Sequence, residues 1–344
     1  RGIVVEVTLF SSTYTDKNWA VHPFNPANNI QSYAVPDWRL INTTACPQVF
    51  PWQAKYVRGV VEALLEYDNM FYEIQNEPWS DNHRMGEKLH DFWVERDRFP
   101  NTVEIPLERA VAWQEQIADV IRETEAGLAH PHMIGQNISN FRLAVHEDDI
   151  IAGVDLLNFH YAFPETVRWN LGHKKIIGFD ESGFAGRDDA TYLRQAWRFM
   201  MSGGGLFNHL DYSFAVGYED GSLMDREAPG GGSLEFRKQL SVLSRMLHSL
   251  DLARTHPNDD LVKHCPGASW TVLSEQGGGH LVYLEGRGDT RATLAIAAGT
   301  WRAAWLDVRE GAVLETENLE ADGGNTTLDV PAFEGSMVLR LTRR

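Results

Sequence analysis

The feature that most constrains this chain is the alternation of apolar, β-branched runs with helix-patterned stretches. Strand-like runs begin near residues 3, 70, 132, 154, 174 and 205 (IVVEVTLF, MFYEIQ, HMIGQNIS, VDLLNFHYA, KKIIGFDES and GLFNHLD). Helical apolar spacing marks 52–66, 106–126, 189–202 and 233–250. Strands separated by helices predict parallel pairing, because a parallel neighbour needs a crossover that carries the chain back. The fold class is therefore α/β. From about residue 261 the pattern changes to short strand-like segments with turn signals SEQGGGH, EGRGD and ADGGN between them. That part reads as a small antiparallel β-sandwich. The reading places a β/α domain at 1–252 and a sandwich at 260–344, joined by the polar stretch DLARTHPNDD.

Composition removes several classes of partner. The net charge of −17 repels phosphate backbones and argues against nucleic acid. No apolar run approaches the roughly 20 residues needed to span a bilayer, so no membrane is expected. The two cysteines, Cys46 and Cys265, fall in different predicted domains, which excludes a disulfide framework and a cysteine-based zinc cluster. The compartment stays open between secreted and cytoplasmic. The Gly-rich pieces at 203–205 and 230–232 match no phosphate-binding fingerprint. Residues 11–51 form a long Asn/Pro-rich loop carrying Trp19, His22 and Trp38, and 81–99 read as an insertion or irregular helix. Loops of such length in a compact domain are commonly functional, and this one is expected to narrow a cleft.

Two acidic residues stand where chemistry can be done. Glu77 ends the strand YEIQNE and is followed by Pro78, which stops the strand. Glu181 ends IIGFDE and is followed by Ser182 and Gly183. Alternation puts Glu73, Gln75 and Glu77 on one side of their strand, with Glu73 and Gln75 deeper as a polar layer. Paired carboxyl groups on rigid strand ends suit the hydrolysis of a glycosidic bond: one protonates the leaving oxygen, the other attacks the anomeric carbon. In a β/α barrel such groups share the face at the C-terminal strand ends. Glu6, Glu73 and Asp180 read as interior hydrogen-bonding groups, and Glu165, Glu219 and Asp220 as loop charges.

Asn76-Glu77-Pro78 after a strand resembles the Asn-Glu-Pro motif of the clan A glycoside hydrolases, which include the cellulase and mannanase family numbered five. The resemblance covers about residues 1–250. It implies a (β/α)8 TIM barrel in which Glu77 is the acid/base and Glu181, in FDESG, the nucleophile of a retaining mechanism. It also implies that Asn76 contacts the sugar hydroxyl beside the reacting carbon. His160 and Tyr161, in NFHY, resemble the family's His and aromatic pair near the nucleophile, although the family usually has one residue between them. No metal or organic cofactor is implied, and the partner is a carbohydrate substrate.

On this reading the first strand corresponds to strand three of the barrel. The first two β/α units are then expected to be absent from this chain, which is a fragment or is completed by another chain or segment. Glu77 is expected to have a raised pKa, from burial and from the charge of Glu181. Trp79, next to the motif, is the first candidate for stacking on a sugar face. Trp19, Trp38, Trp169, Tyr212, Phe214 and Tyr218 are further candidates, with core packing as the alternative. His209 and Asp211 end the last strand and are candidates for substrate contact or for internal hydrogen bonding. A rival site built on His83, His90, His130 and His132 lacks zinc-ligand spacing. Two other functions stay open, a carbohydrate-binding protein without catalysis and a transglycosylase.

Overall fold

In the computed structural model, the described part of the chain comprises residues 3–88, 102–224, 229–230 and 232–344. The first elements are β1 (Val5–Ser11), a short α1 (Asp16–Trp19), α2 (Phe50–Leu64) and β2 (Met70–Asn76). A hairpin, β3 (His83–Lys88) and β4 (Thr102–Pro106), comes next, followed by α3 (Glu108–Thr124), β5 (Met133–Ile138) and β6 (Leu156–His160). Then come α4 (Thr166–Asn170), β7 (Ile176–Ser182), α5 (Asp189–Met201), β8 (Leu206–His209) and α6 (Leu234–Leu247). The six predicted strands are all present, in the order β1-β2-β5-β6-β7-β8. Neighbours pair in parallel, with Val5 opposite Met70, Phe71 opposite Met133 and Gly135 opposite Leu156.

The chain divides into two compact units, residues 1–162 with 170–178, and residues 163–169 with 179–344. In the first unit, α3 buries Ala110, Trp113, Gln114, Ile117, Ala118 and Ile121, the spacing that gives a helix one apolar stripe. Trp113 meets Phe10 of β1 edge-on at 5.0 Å, and its indole N–H donates to Gln53 of α2 at 3.0 Å. The long loop is an ordered segment with a core of its own, Ile41, Cys46 and Val49 under Trp19, Phe24 and Tyr33. Its asparagines act on the backbone. Asn25 donates to the Trp19 carbonyl, and Asn28 to those of Ala20 and His22, each at 2.9 Å. These side-chain bonds add to the backbone turns that already serve the Trp19 and His22 carbonyls.

Of the two readings of 81–99, an insertion or an irregular helix, the helix does not hold for residues 83–88, which form β3 and pair antiparallel with β4, His83 opposite Pro106. The rest of that stretch, with His90, lies outside the described residues.

In the second unit, β9 (Thr255–Pro257), β10 (Val262–His264), β11 (Ala268–Glu275), β12 (His280–Ala295), β13 (Gly299–Asp307), β14 (Val313–Ala321) and β15 (Asn325–Arg343) build a seven-stranded antiparallel sheet. The long strands β12 and β15 are paired along their length, and the register shifts between Gly288 and Thr290. Gly286 faces Gly335 near that shift, and a Cβ on Gly286 would sit 2.3 Å from the Gly267 carbonyl oxygen, so no larger residue fits there. Val282 and Leu284 before the shift share one apolar cluster with Ala292 and Leu294 after it, so the sheet closes over its own core as a sandwich does.

The other face is covered by helices. Leu273, Leu281, Tyr283 and Val338 pack with Trp197 of α5 and Leu243 and Leu247 of α6, and Trp197 stacks on Tyr283 at 5.5 Å. Within the second unit α5 and α6 therefore share a core with the antiparallel sheet. Cys46 and Cys265 are buried free thiols. No helix among the described residues is long and apolar enough to cross a membrane.

Candidate active site

In the first unit the polar layer forms as alternation predicts. Glu73 and Gln75 are buried, and Asn158 of β6 donates from one amide nitrogen to Glu73 at 3.0 Å and to Glu6 at 3.1 Å. Asn137 of β5 joins this layer to the strand end. Its Nδ2 donates to Glu73 at 3.2 Å, and its Oδ1 accepts the backbone N–H of Glu77 at 2.8 Å. The Ser12 hydroxyl donates to the Glu77 carbonyl at 2.6 Å. Both backbone groups of Glu77 are therefore held from neighbouring strands.

These bonds hold an uncommon backbone. Glu77 has φ 48°, in the left-handed region that a side chain with a Cβ rarely enters. The same conformation recurs at Tyr14 (φ 63°) after β1, Phe141 (φ 59°) after β5 and Tyr161 (φ 48°) after β6. In the second unit Phe184 (φ 58°) repeats it after β7. Non-glycine residues in this region cluster where structure over-determines the backbone, and such places are often functional.

The Glu77 carboxylate lies 3.4 Å from Nδ1 of His160, a fully buried ring at the end of β6. Tyr14 and Asn140 also hydrogen-bond the carboxylate, and Ser80 approaches it at 3.4 Å. Burial pushes the pKa of Glu77 up, but the bond and charge of His160, with the bonds of Tyr14 and Asn140, bring it below the usual carboxylate value. The expected rise is thus reversed with these neighbours, because donors that favour the ionised form outweigh burial. Asn76 donates from Nδ2 to the Tyr14 hydroxyl at 2.8 Å. Asn76, Glu77 and His160 are therefore gathered at one place, and Tyr161 stacks on Phe141 at 5.7 Å beside them.

Trp79 does not meet its expectation. It is 1% exposed and meets His160 edge-on at 5.6 Å, so it has no open face for a sugar. The turn that begins at Glu77, closed by Ser80 N–H donating to the Glu77 carbonyl at 2.9 Å, rolls the indole inward. Two histidines of the rival site have separate roles: His83 bonds the Trp79 carbonyl, and His132 lies between Glu125 and the Tyr67 carbonyl. Tyr14, Asn137 and Asn140 were missed. Each follows or ends a strand, but nothing in their local sequence distinguishes them from loop residues.

In the second unit Glu181 is half-buried at the end of β7. Next to it the Ser182 hydroxyl bonds Nδ1 of His209 at 2.8 Å, and the His209 ring lies 4.5 Å from Tyr192. The Asp211 carboxylate is engaged by Arg237 at 2.6 Å and by both backbone and hydroxyl of Ser213. It anchors the loop that follows, and it also borders a cavity of about 170 Å³ with Arg187, Asp189 and Tyr212. Tyr212, Phe214, Tyr218 and Trp169 are exposed, whereas Trp38 is buried with its indole N–H on Asp16 at 2.6 Å.

No family model matches the sequence, and no curated protein matches it. Solved structures do match in fold. A glycoside hydrolase is similar over 99% of this chain and 85% of its own, at 12% identity and a TM-score of 0.58. A glycoside hydrolase of family 5 from Bacteroides vulgatus is similar over 85% of this chain and 66% of its own, at 11% identity and a TM-score of 0.55. At such identities the likeness concerns the fold, and it agrees with the β/α architecture implied by the Asn-Glu-Pro resemblance.

Proposed function

We propose that this chain is a retaining glycoside hydrolase acting on β-glycosidic bonds, with Glu77 as acid/base and Glu181 as nucleophile. The observation that carries the reading is the setting of Glu77. It ends a parallel strand in a left-handed conformation, with its backbone held by Asn137 and Ser12 and its carboxylate contacted by His160, Tyr14 and Asn140. A solvated strand end has no need of such support. The six strands are proposed to take the places of strands three to eight of a barrel. Glu77 and Glu181 then end strands four and seven.

In the proposed reaction Glu181 attacks the anomeric carbon and forms an ester with the sugar. Glu77 gives its proton to the departing glycosidic oxygen. Glu77, now a carboxylate, takes a proton from water, which attacks the same carbon and releases Glu181. The configuration is retained after two inversions, and the two carboxyl groups are expected about 5–5.5 Å apart. Glu77 must reach the sugar protonated, against the influence of His160. Water exclusion under a bound sugar and the negative charge of Glu181 both act in that direction.

Asn76 is proposed to contact the hydroxyl beside the reacting carbon, with His160 and Tyr161 as polar supports. The test uses aryl β-glycosides. Glu181→Ala is expected to abolish turnover, and azide is expected to restore it with an inverted glycosyl azide product. Wild-type turnover in Glu181→Ala would refute the assignment. A protein that binds sugars without cleaving them releases no chromophore.

A further inference from the structure

Tyr14 is placed with more care than a loop residue needs. It follows β1 with φ 63°, and the residue is 40% exposed. The Asp81 carboxylate grips two successive backbone N–H groups, Thr13 at 2.6 Å and Tyr14 at 2.9 Å. Asp81 belongs to the segment that leaves Glu77, so one short stretch of chain carries the acid and also holds the tyrosine. The Tyr14 hydroxyl accepts from Asn76 Nδ2 at 2.8 Å. That bond uses an oxygen lone pair and leaves the phenolic proton to be donated. Its further hydrogen-bond partners are the Ser11 side chain and the Glu77 carboxylate; burial and then the Glu77 charge keep the phenol protonated well above its ordinary range, against the Ser11 and Asn76 bonds.

We propose that Tyr14 is a positioning residue for Glu77: its hydroxyl, aimed by the Asp81 grip, relays the Asn76 amide to the Glu77 carboxylate and holds that group in its ionised form between turnovers. The other groups that face Glu77 within this unit are His160 from β6, Asn140 from the loop after β5, and Ser80. Tyr14 differs from His160 in carrying no charge. Its contribution is one directed hydrogen bond, which its phenylalanine analogue lacks while keeping the ring. The part played in turnover rests on the reading of Glu77 as acid/base; the contact itself does not.

The test compares Tyr14→Phe with the wild type in two measurements. The first is the 13C resonance of the Glu77 carboxyl in glutamate-labelled protein, assigned by its absence in Glu77→Gln and followed against pH without substrate. Losing a hydrogen bond to a charged group is expected to raise the Glu77 midpoint by about one pH unit. The second is the pH profile of kcat/KM on an aryl glycoside, where the basic limb reports loss of the acid's proton and is expected to move upward by a similar amount. Asp81→Asn, which loosens the grip and leaves the hydroxyl in place, is expected to move both in the same direction by less. An unchanged carboxyl titration in Tyr14→Phe overturns the proposal. If the wild type cleaves no glycoside, the proposed function fails, and the substrate-free titration still decides the role of Tyr14.

Discussion

His132 has both ring nitrogens against acceptors: Nδ1 is 2.5 Å from the Glu125 carboxylate and Nε2 is 2.5 Å from the Tyr67 carbonyl. Only the doubly protonated ring donates to both. Glu125 caps α3, Tyr67 follows α2, and His132 precedes β5, so the ring joins three elements at one end of the first unit. Replacing His132 with Leu takes the cationic ring from the Glu125 carboxylate, whose side chain is 0% exposed, and leaves it the backbone N–H of residue 132 at 3.0 Å. Breaking a buried pair in this way costs about 3–5 kcal/mol, on the order of 10 °C in Tm for a unit of this size. Replacing Glu125 with Leu as well removes the orphaned charge and is expected to recover most of the loss.

Burial presses the His132 pKa down, but the Tyr67 carbonyl and the Glu125 carboxylate, helped by Asp68, lift it above the ordinary histidine value. A histidine raised on folding adds stability that is complete below its unfolded pKa of about 6.5 and fades as pH rises through the folded value. The Tm gap between wild type and His132→Leu, read by calorimetry, is therefore expected to narrow from pH 6 to pH 9. A single-variant cost below about 1 kcal/mol, or a double variant as unstable as the summed singles, refutes this account.

Two further expectations concern residues near the candidate site. Trp79→Ala should behave as a core truncation, losing about 3–5 kcal/mol in chemical denaturation, whereas a sugar-stacking role predicts weaker substrate binding with stability unchanged. Arg237 holds the loop after β8 through Asp211, Ser213 and the Gly221 carbonyl, and it lies 5.0 Å over the Phe214 ring. Arg237→Ala should make residues 212–224 the first site cut in limited proteolysis; an unchanged cleavage pattern counts against the staple.

The strands were legible because each is a continuous apolar run bounded by turn residues. The end of β2 was legible to within a residue, since Pro78 forbids further pairing and Asn76 is its last member. The hairpin of β3 and β4 was not. Its first strand, HRMGEK, is charged and lacks apolar alternation, and Val103 and Ile105 alternate over too short a run in TVEIP to mark the second. The division into units was also hidden: alternation in β11 and β12 shows that two faces differ, but not that α5 and α6 cover one of them. At the site, the motif drew attention to Trp79 through adjacency in sequence, while a left-handed residue two positions earlier reversed its direction. Tyr14 is 63 residues from Glu77, and only the parallel register, Ser11 opposite Asn76, brings them together. No pattern inside the loop announces that pairing.

The left-handed residues at the strand ends set a trade between aim and relaxation. Glycine at position 77, 141 or 161 would adopt the same torsions without the cost of a Cβ, on the order of 1–2 kcal/mol at each position. It would also delete the side chain that the bend directs. On the proposed function, a gain in robustness at position 77 would therefore remove the acid/base, and a screen for thermal tolerance alone would not register that loss.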